Sequence, residues 1–223
     1  MAPPTYHRNY ILSDGDVWGF ADGMKALGAA GIRGIISSGG GRLLEVVANA
    51  AGVIEDAARD YDVNPQWVLA TLQKEQSLLT RKRFTTRSIF CAMGYGATDG
   101  DDEPRFWGFD VQVRAACKGV REGLLWKIGQ RDRNRTILID GTPVVPVNAA
   151  TAMCYGYTPH LRGNRLLWRV WGGLFGYQEF KPGRKVLLAE KAFRAARCSP
   201  RRRLHVSDCG RVGQSGVRRL QPP

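Results

Sequence analysis

The chain has 223 residues, is 43% hydrophobic and holds six Trp, seven Tyr and eight Phe, enough to bury one substantial domain or two small ones. No run of about eighteen residues is wholly apolar, so no membrane-spanning helix is expected. The opening "MAPPTYHRNYILSDGDVWGF" lacks a basic stretch followed by an apolar one, so no ordinary secretory signal is expected either. Of the formal charge of +13, residues 185–223 carry +8 through ten Lys or Arg against two acids, leaving +5 for the rest.

In chain order, residues 1–20 read as a short N-terminal arm. "ADGMKALGAAGIRGII" reads as a helix weakened by glycine, followed by a turn at "SSGGG". "RLLEVVANAAGVIEDAARDY" has an amphipathic helical pattern. The next helix has a clear start, because Asn64 is a good N-cap and Pro65 a good first residue. "FCAMGYGATDGDDEPRFWGF" is rich in Gly, Asp and aromatics, which suits a loop or small hairpin with close backbone approach. "DVQVRAACKGVREGLLWKIGQ" is a further helix, and "RTILIDGTPVVPV" alternates around an Asp140-Gly141 hairpin turn. "NAATAMCYGYTPH" is a short helix running into a turn, and "GNRLLWRVWGGLFGY" is a helix with a dense aromatic face. The sum is α+β and mainly helical, with one or two small hairpins. A domain over residues 21–180 would then be followed by a basic tail over 181–223.

The five cysteines, at 91, 117, 154, 198 and 209, include no CxxC pair, so neither a structural zinc site nor a disulfide framework is indicated. Cys91, Cys117 and Cys154 lie among apolar residues as buried thiols, which suits folding in a cytoplasm. Cys198 and Cys209 could bridge across the tail, with His205 nearby as a weak metal signal. Three His in the whole chain, with no Ser or Cys partner at a recognisable spacing, argue against a nucleophilic triad built on His160.

In "WVLATLQKEQSLLT", Val68, Leu72, Glu75 and Leu79 fall on one helical stripe, while Gln73, Lys74 and Gln76 point away. A carboxyl on an apolar stripe is desolvated, which favours its protonated form. A protonated carboxylic acid is what cleavage of a glycosidic bond requires for the leaving oxygen. The structural alternative is pairing with Arg81 or Arg83. Asp99, Asp101, Asp102 and Glu103 are candidates for a second carboxylate across from Glu75, and the last three read better as a solvated acidic turn. Inverting hydrolases hold two carboxyls roughly 6.5–9.5 Å apart, with water between sugar and base. "CYGYTPH" places Tyr155, Tyr157, Thr158 and His160 at the end of a helix, and the tyrosines offer a flat apolar face with a polar tip, suited to sugar rings. Trp107, Trp168 and Trp171 could do the same, although their spacing reads as core packing.

Three stretches, "NPQWVLATLQKEQSLLT", "AMGYGATD" and "ATAMCYGYTPHLRGNRLLWRVWGGLFG", together resemble the lysozyme-like superfamily in order and spacing. The nearest branch is the cell-wall hydrolases related to soluble lytic transglycosylases and goose-type lysozymes of bacteria and phages. In lytic transglycosylases an Ala lies five residues before the catalytic Glu, a spacing that Ala70 and Glu75 keep, although Gln76 replaces the usual Ser. The Gly-Leu-Met-Gln stretch of that family is matched loosely by Gly94, Tyr95, Gly96 and Ala97. Asp99 stands where goose-type lysozymes carry an acid, and Tyr155 to Thr158 resemble the turn bordering the sugar site. The resemblance covers about residues 60–177 and not the tail.

The resemblance implies a lysozyme-like fold that cleaves the β-1,4 bond between N-acetylmuramic acid and N-acetylglucosamine in peptidoglycan. It implies Glu75 as general acid and then base, Asp99 as a tentative second carboxylate, and Gly94, Tyr95, Tyr155, Tyr157 and Thr158 against the sugar. A lytic transglycosylase giving an anhydro product and an endo-N-acetylglucosaminidase are the alternatives on the same fold. No metal or organic cofactor is expected, and the protein is expected to be a monomer. Its partners would be glycan strands, with an anionic wall or membrane surface drawn to the basic tail. Without a visible leader, release in the manner of a phage endolysin, or carriage on a virion, is expected. A nucleic-acid-binding protein is the distant rival on charge alone, and no helix-turn-helix, zinc finger or RNP pattern accompanies that charge. A wall-binding domain without turnover is the other.

Overall fold

The computed structural model describes residues 10–96 and 103–177. Among the described residues the chain is mainly helical, with one two-stranded antiparallel sheet. The helices are α1 (Asp14–Val17), α2 (Phe20–Leu27), α3 (Gly31–Ser38), α4 (Leu43–Val46), α5 (Ala50–Asp60), α6 (Pro65–Gln76) and α7 (Thr86–Phe90). They continue with α8 (Phe109–Arg121), α9 (Leu124–Asp132), α10 (Ala149–Tyr157) and α11 (Leu161–Phe175). The strands are β1 (Ile137–Ile139) and β2 (Thr142–Val144). None of these helices is long and apolar enough to cross a membrane.

Helix α6 is the axis of the fold. Every residue from Pro65 to Leu72 is buried, so this stretch has no solvent face and the one-stripe reading is corrected. Helices α1, α2, α3, α5 and α11 pack around it, while α10 lies on α9 and α8 joins α5 to α9. Its start is built as the sequence predicts. The Asn64 side chain accepts from Gln66 N at 2.9 Å and Pro65 takes the first turn, while Asn64 Nδ2 donates to Gly15 O at 2.9 Å. Pro lacks the N–H that would have gone unmet in that turn.

Three expected helices are each two. A 3-10 turn at Gly28–Ala30 separates α2 from α3, Val47 to Asn49 separate α4 from α5, and Glu122-Gly123 separate α8 from α9. Glycine and short polar residues weaken a helix where tertiary packing favours a change of direction. The hairpin keeps its predicted register. Ile139 faces Thr142 across the turn, with Asp140 at φ 49° and Gly141 at φ 68°. Two successive left-handed residues are what the tight turn between twisted strands requires.

Residues 10–20 form part of the folded body, which corrects their reading as an arm. Ile11 and Leu12 lie in the core. The Thr151 hydroxyl accepts from Ile11 N at 3.0 Å and donates to Leu12 O at 3.1 Å, and Asn148 Nδ2 donates to the same carbonyl at 3.0 Å. Ser13 and Asp16 close a capping box on α1. Asp16 is only 4% exposed. Burial pushes its carboxyl above the ordinary range, against the opposing pull of hydrogen bonds from Ser13.

A raised carboxyl in the folded state means that the native protein holds this proton to a higher pH than the unfolded chain. Its contribution is therefore favourable below the ordinary carboxylate range and is lost as pH climbs. Asp16→Asn keeps an oxygen for Ser13 N and has no charge to bury. Urea titrations should show the variant gaining on the wild type from about pH 3 to neutrality; a gap that is constant with pH would contradict this account.

Candidate active site

Glu75 sits in the last turn of α6, where the buried helix emerges. Its side chain is 24% exposed. The chain leaves the helix through Ser77, held left-handed at φ 54°, whose N–H returns to Gln73 O at 2.9 Å. The Gln73 side chain braces this exit, accepting from Leu79 N and donating to Thr80 Oγ1, each at 3.0 Å. The helix end is thus pinned within two residues of the carboxyl.

Lys74 is the partner that sequence reasoning missed. Its ammonium pairs with Glu75 Oε1, donates to Thr158 Oγ1 at 2.6 Å and lies 5.7 Å from the centre of the Tyr157 ring. The side chain is 6% exposed, which corrects the reading that Glu75 alone among these polar residues turns inward. Near a helix end the face rule lapses, because a four-carbon stem can fold back over the terminus.

On the other side of Glu75 lies the turn after α7. Gly94 is left-handed at φ 68°, and a Cβ placed on it would stand 3.0 Å from Glu75 Oε2 and 3.1 Å from its Cδ. Only glycine combines that backbone with that approach. Gln112 of α8 fixes the turn. Its Oε1 accepts from Met93 N and Tyr95 N at 3.2 and 3.0 Å, and its Nε2 donates to Tyr95 O and Phe106 O at 2.8 Å. Gln112 is 1% exposed on a stripe with Phe109, Val113, Ala116 and Cys117. A lone amide on an apolar face was the sequence signal for it.

The Tyr157 hydroxyl donates to Met93 O at 2.5 Å, which ties α10 to the same turn. Burial first, and then the charge of Glu75, push this hydroxyl well above its usual range, so it remains a donor at physiological pH. Tyr95 stacks edge-on to Phe106, with centroids 5.1 Å apart, and tilts against Tyr157 at 6.4 Å. The position of the Tyr95 hydroxyl is 2.6 Å from where a Cβ on Gly119 would stand, so its polar tip faces α8. Thr158 is held through its backbone by Asn164 Nδ2 at 2.6 Å.

The structure therefore gathers Glu75, Gly94, Tyr95, Tyr157 and Thr158. It does not gather Tyr155, which is 2% exposed and belongs to the core. Its reading as a residue against the sugar is corrected. Helix α10 runs through to Tyr157, and two residues along a helix turn the side chain to the opposite side. Asp99, Asp101 and Asp102 lie outside the described residues, as do Ala97, the basic tail, Cys198, Cys209 and His205. Glu103 is exposed and paired with Arg105 at 2.9 Å. Trp107, read as core, is exposed beside Phe90 at 6.2 Å, while Trp171 is core as expected.

His160 serves structure here. Its Nδ1 lies 2.8 Å from Asp140 Oδ1, and Asp140 Oδ2 accepts from Leu161 N at 2.8 Å, joining the hairpin to the start of α11. Cys91, Cys117 and Cys154 are buried and form no disulfide; burial pushes the thiols of Cys117 and Cys154 up to about 12. Among the described residues no three His, Cys, Asp or Glu side chains converge as metal ligands.

No protein family, curated protein or solved structure matches the chain.

What remains is an arrangement with defined chemical capacity. One carboxyl is partly open to solvent, paired on one oxygen with an ammonium, while a glycine turn passes close to the other. Such a group can exchange a proton with a bound molecule without changing its direction.

Proposed function

We propose that the protein is a peptidoglycan glycosidase of lysozyme-like fold that cleaves the β-1,4 bond between N-acetylmuramic acid and N-acetylglucosamine. The observation that carries this reading is the Glu75 carboxyl, partly exposed at the end of a buried helix, paired with Lys74 on one oxygen and close to the Gly94 turn on the other. Glu75 protonates the bridging oxygen as the bond to the sugar breaks. The carboxylate so formed then takes a proton from the attacking group. When that group is water the product is a reducing muramic acid; when it is the muramic acid's own 6-hydroxyl the product is anhydro. Lys74 stays beside Glu75, and once the carboxylate has formed it makes a charge-assisted hydrogen bond to it, roughly twice as strong as a neutral one.

In this reading Gly94 and Tyr157 shape the sugar's side of the carboxyl and Thr158 orients Lys74. The protein works as a monomer on glycan strands, without a cofactor, and reaches the wall by endolysin-like release or on a virion. Its basic tail holds it to anionic wall polymers or membrane. Mass spectrometry of muropeptides after digestion of purified peptidoglycan tests the reading. New muramic acid ends, reducing or anhydro, are expected. New reducing N-acetylglucosamine ends would assign the opposite bond, and an undigested wall would end the proposal.

Removing residues 185–223 should weaken binding to purified walls several-fold at low salt and much less at high salt, because the Debye length shrinks from about 30 Å at 0.01 M to about 3 Å at 1 M. Equal loss at both would remove the electrostatic role.

A further inference from the structure

Lys74 is not required by the proton transfers themselves, yet the fold buries it at some cost. An ammonium removed from water is unfavourable unless its donors are met. It has three donors. Glu75 Oε1 takes one and Thr158 Oγ1, at 2.6 Å, takes a second, while the Tyr157 ring presents its face at 5.7 Å.

Lys74 also lines a cavity of about 10 Å³ together with Trp67, Thr71, Tyr157 and Thr158. Trp67 and Thr71 are 1% and 2% exposed, and neither Trp67 Nε1 nor Thr71 Oγ1 has a hydrogen-bond partner. Two unmet buried polar atoms and an ammonium, all on residues that line a space of that size, suit a single ordered water, which needs two to four partners and about 10–15 Å³.

We infer that Lys74 is the positioning residue of Glu75. It is fixed by Thr158 and by one water shared with Trp67 and Thr71, and it sets the direction in which the carboxyl faces its substrate. Its three anchors come from two elements: Trp67 and Thr71 from α6, which also carries Lys74, and Thr158 from the residue that ends α10. The carboxyl is therefore aimed by the contact between α6 and α10 rather than by its own backbone alone. Its neighbour in sequence acts as the strut.

The consequence for turnover rests on the glycosidase reading; the strut itself does not. Lys74→Met keeps the stem and removes the charge, and Lys74→Arg keeps the charge. On purified peptidoglycan, Lys74→Met should lower kcat about 100-fold, the loss expected for a reacting group displaced by about 1 Å, with KM within about twofold. Lys74→Arg should recover at least a tenth of wild-type kcat. A Lys74→Met enzyme with unchanged kcat, or a loss seen only in KM, would overturn the inference.

A second measurement needs neither turnover nor a variant at position 74 that tolerates the change. In ¹H–¹⁵N spectra of the wild-type protein labelled at lysine, the ammonium held by Glu75 should give one slowly exchanging signal that moves in Glu75→Gln. Lysines whose ammonium groups all exchange at the solvent rate would overturn the strut. A wild type that keeps this signal but releases no muropeptide would sink the hydrolase reading and leave the strut standing.

Discussion

Glu75→Gln should abolish release of muropeptides while leaving the protein folded. Loss of a general acid costs about 10²–10⁴-fold, so kcat should fall at least about 100-fold. The amide cannot donate the proton that the leaving oxygen requires, but its oxygen can still accept from Lys74. The thermal midpoint should therefore hardly move. Glu75→Ala behaves differently, because it leaves the ammonium of a side chain only 6% exposed without its carboxylate. Breaking a buried pair from one side costs about 3–5 kcal/mol, so this variant should also lose stability. The contrast between the two, followed by turbidity clearing and by thermal denaturation, separates chemistry from folding. Clearing that survives in Glu75→Gln would discard the mechanism.

Gly94→Ala should also lower activity, for a different reason. The residue is left-handed at φ 68°, a conformation that costs an alanine about 1–2 kcal/mol. The new methyl would also meet Glu75 Oε2 at 3.0 Å and Cδ at 3.1 Å, well inside a comfortable separation of about 3.5–4.0 Å. Neither side yields easily. Gln112 and Tyr157 hold the turn, and Lys74 holds the carboxyl. The relief is a carboxyl displaced by part of an ångström, and a misplacement of about 1 Å costs about 100-fold in rate. Unfolding free energy should fall by about 1–2 kcal/mol and kcat by roughly tenfold, short of the full loss for a shift of about 1 Å. Activity within twofold of wild type would show that Gly94 serves the backbone alone.

Local chemistry made part of this legible in the sequence. Asn64-Pro65 start α6 and Asp140-Gly141 turn the hairpin because each acts through its own backbone, with no distant partner needed. Glu75 was found because it broke a pattern, although the pattern is a helix end rather than an inward stripe. What escaped depends on contacts between elements. Lys74 reaches Thr158 across 84 positions of sequence, and no periodicity encodes that. Tyr155 was misplaced by two residues of helix, which turn a side chain from the site into the core. Residues 10–20 read as part of an arm because the anchors of Ile11 and Leu12, Asn148 and Thr151, lie more than a hundred residues away.

Stability and site also share parts. Gln112 and Tyr157 hold the turn that shapes the carboxyl's surroundings, and both reach it with hydrogen bonds from helices packed in the core. The site is thus carried by the rigid elements that best preserve sub-ångström placement.

The most direct measurement is a crystal structure of the Glu75→Gln protein with a bound peptidoglycan tetrasaccharide. The bridging oxygen of one β-1,4 bond should lie within about 3 Å of the side-chain amide at position 75, with Lys74 still seated on Thr158. A glycan lodged elsewhere, with position 75 facing only solvent, would contradict the assignment.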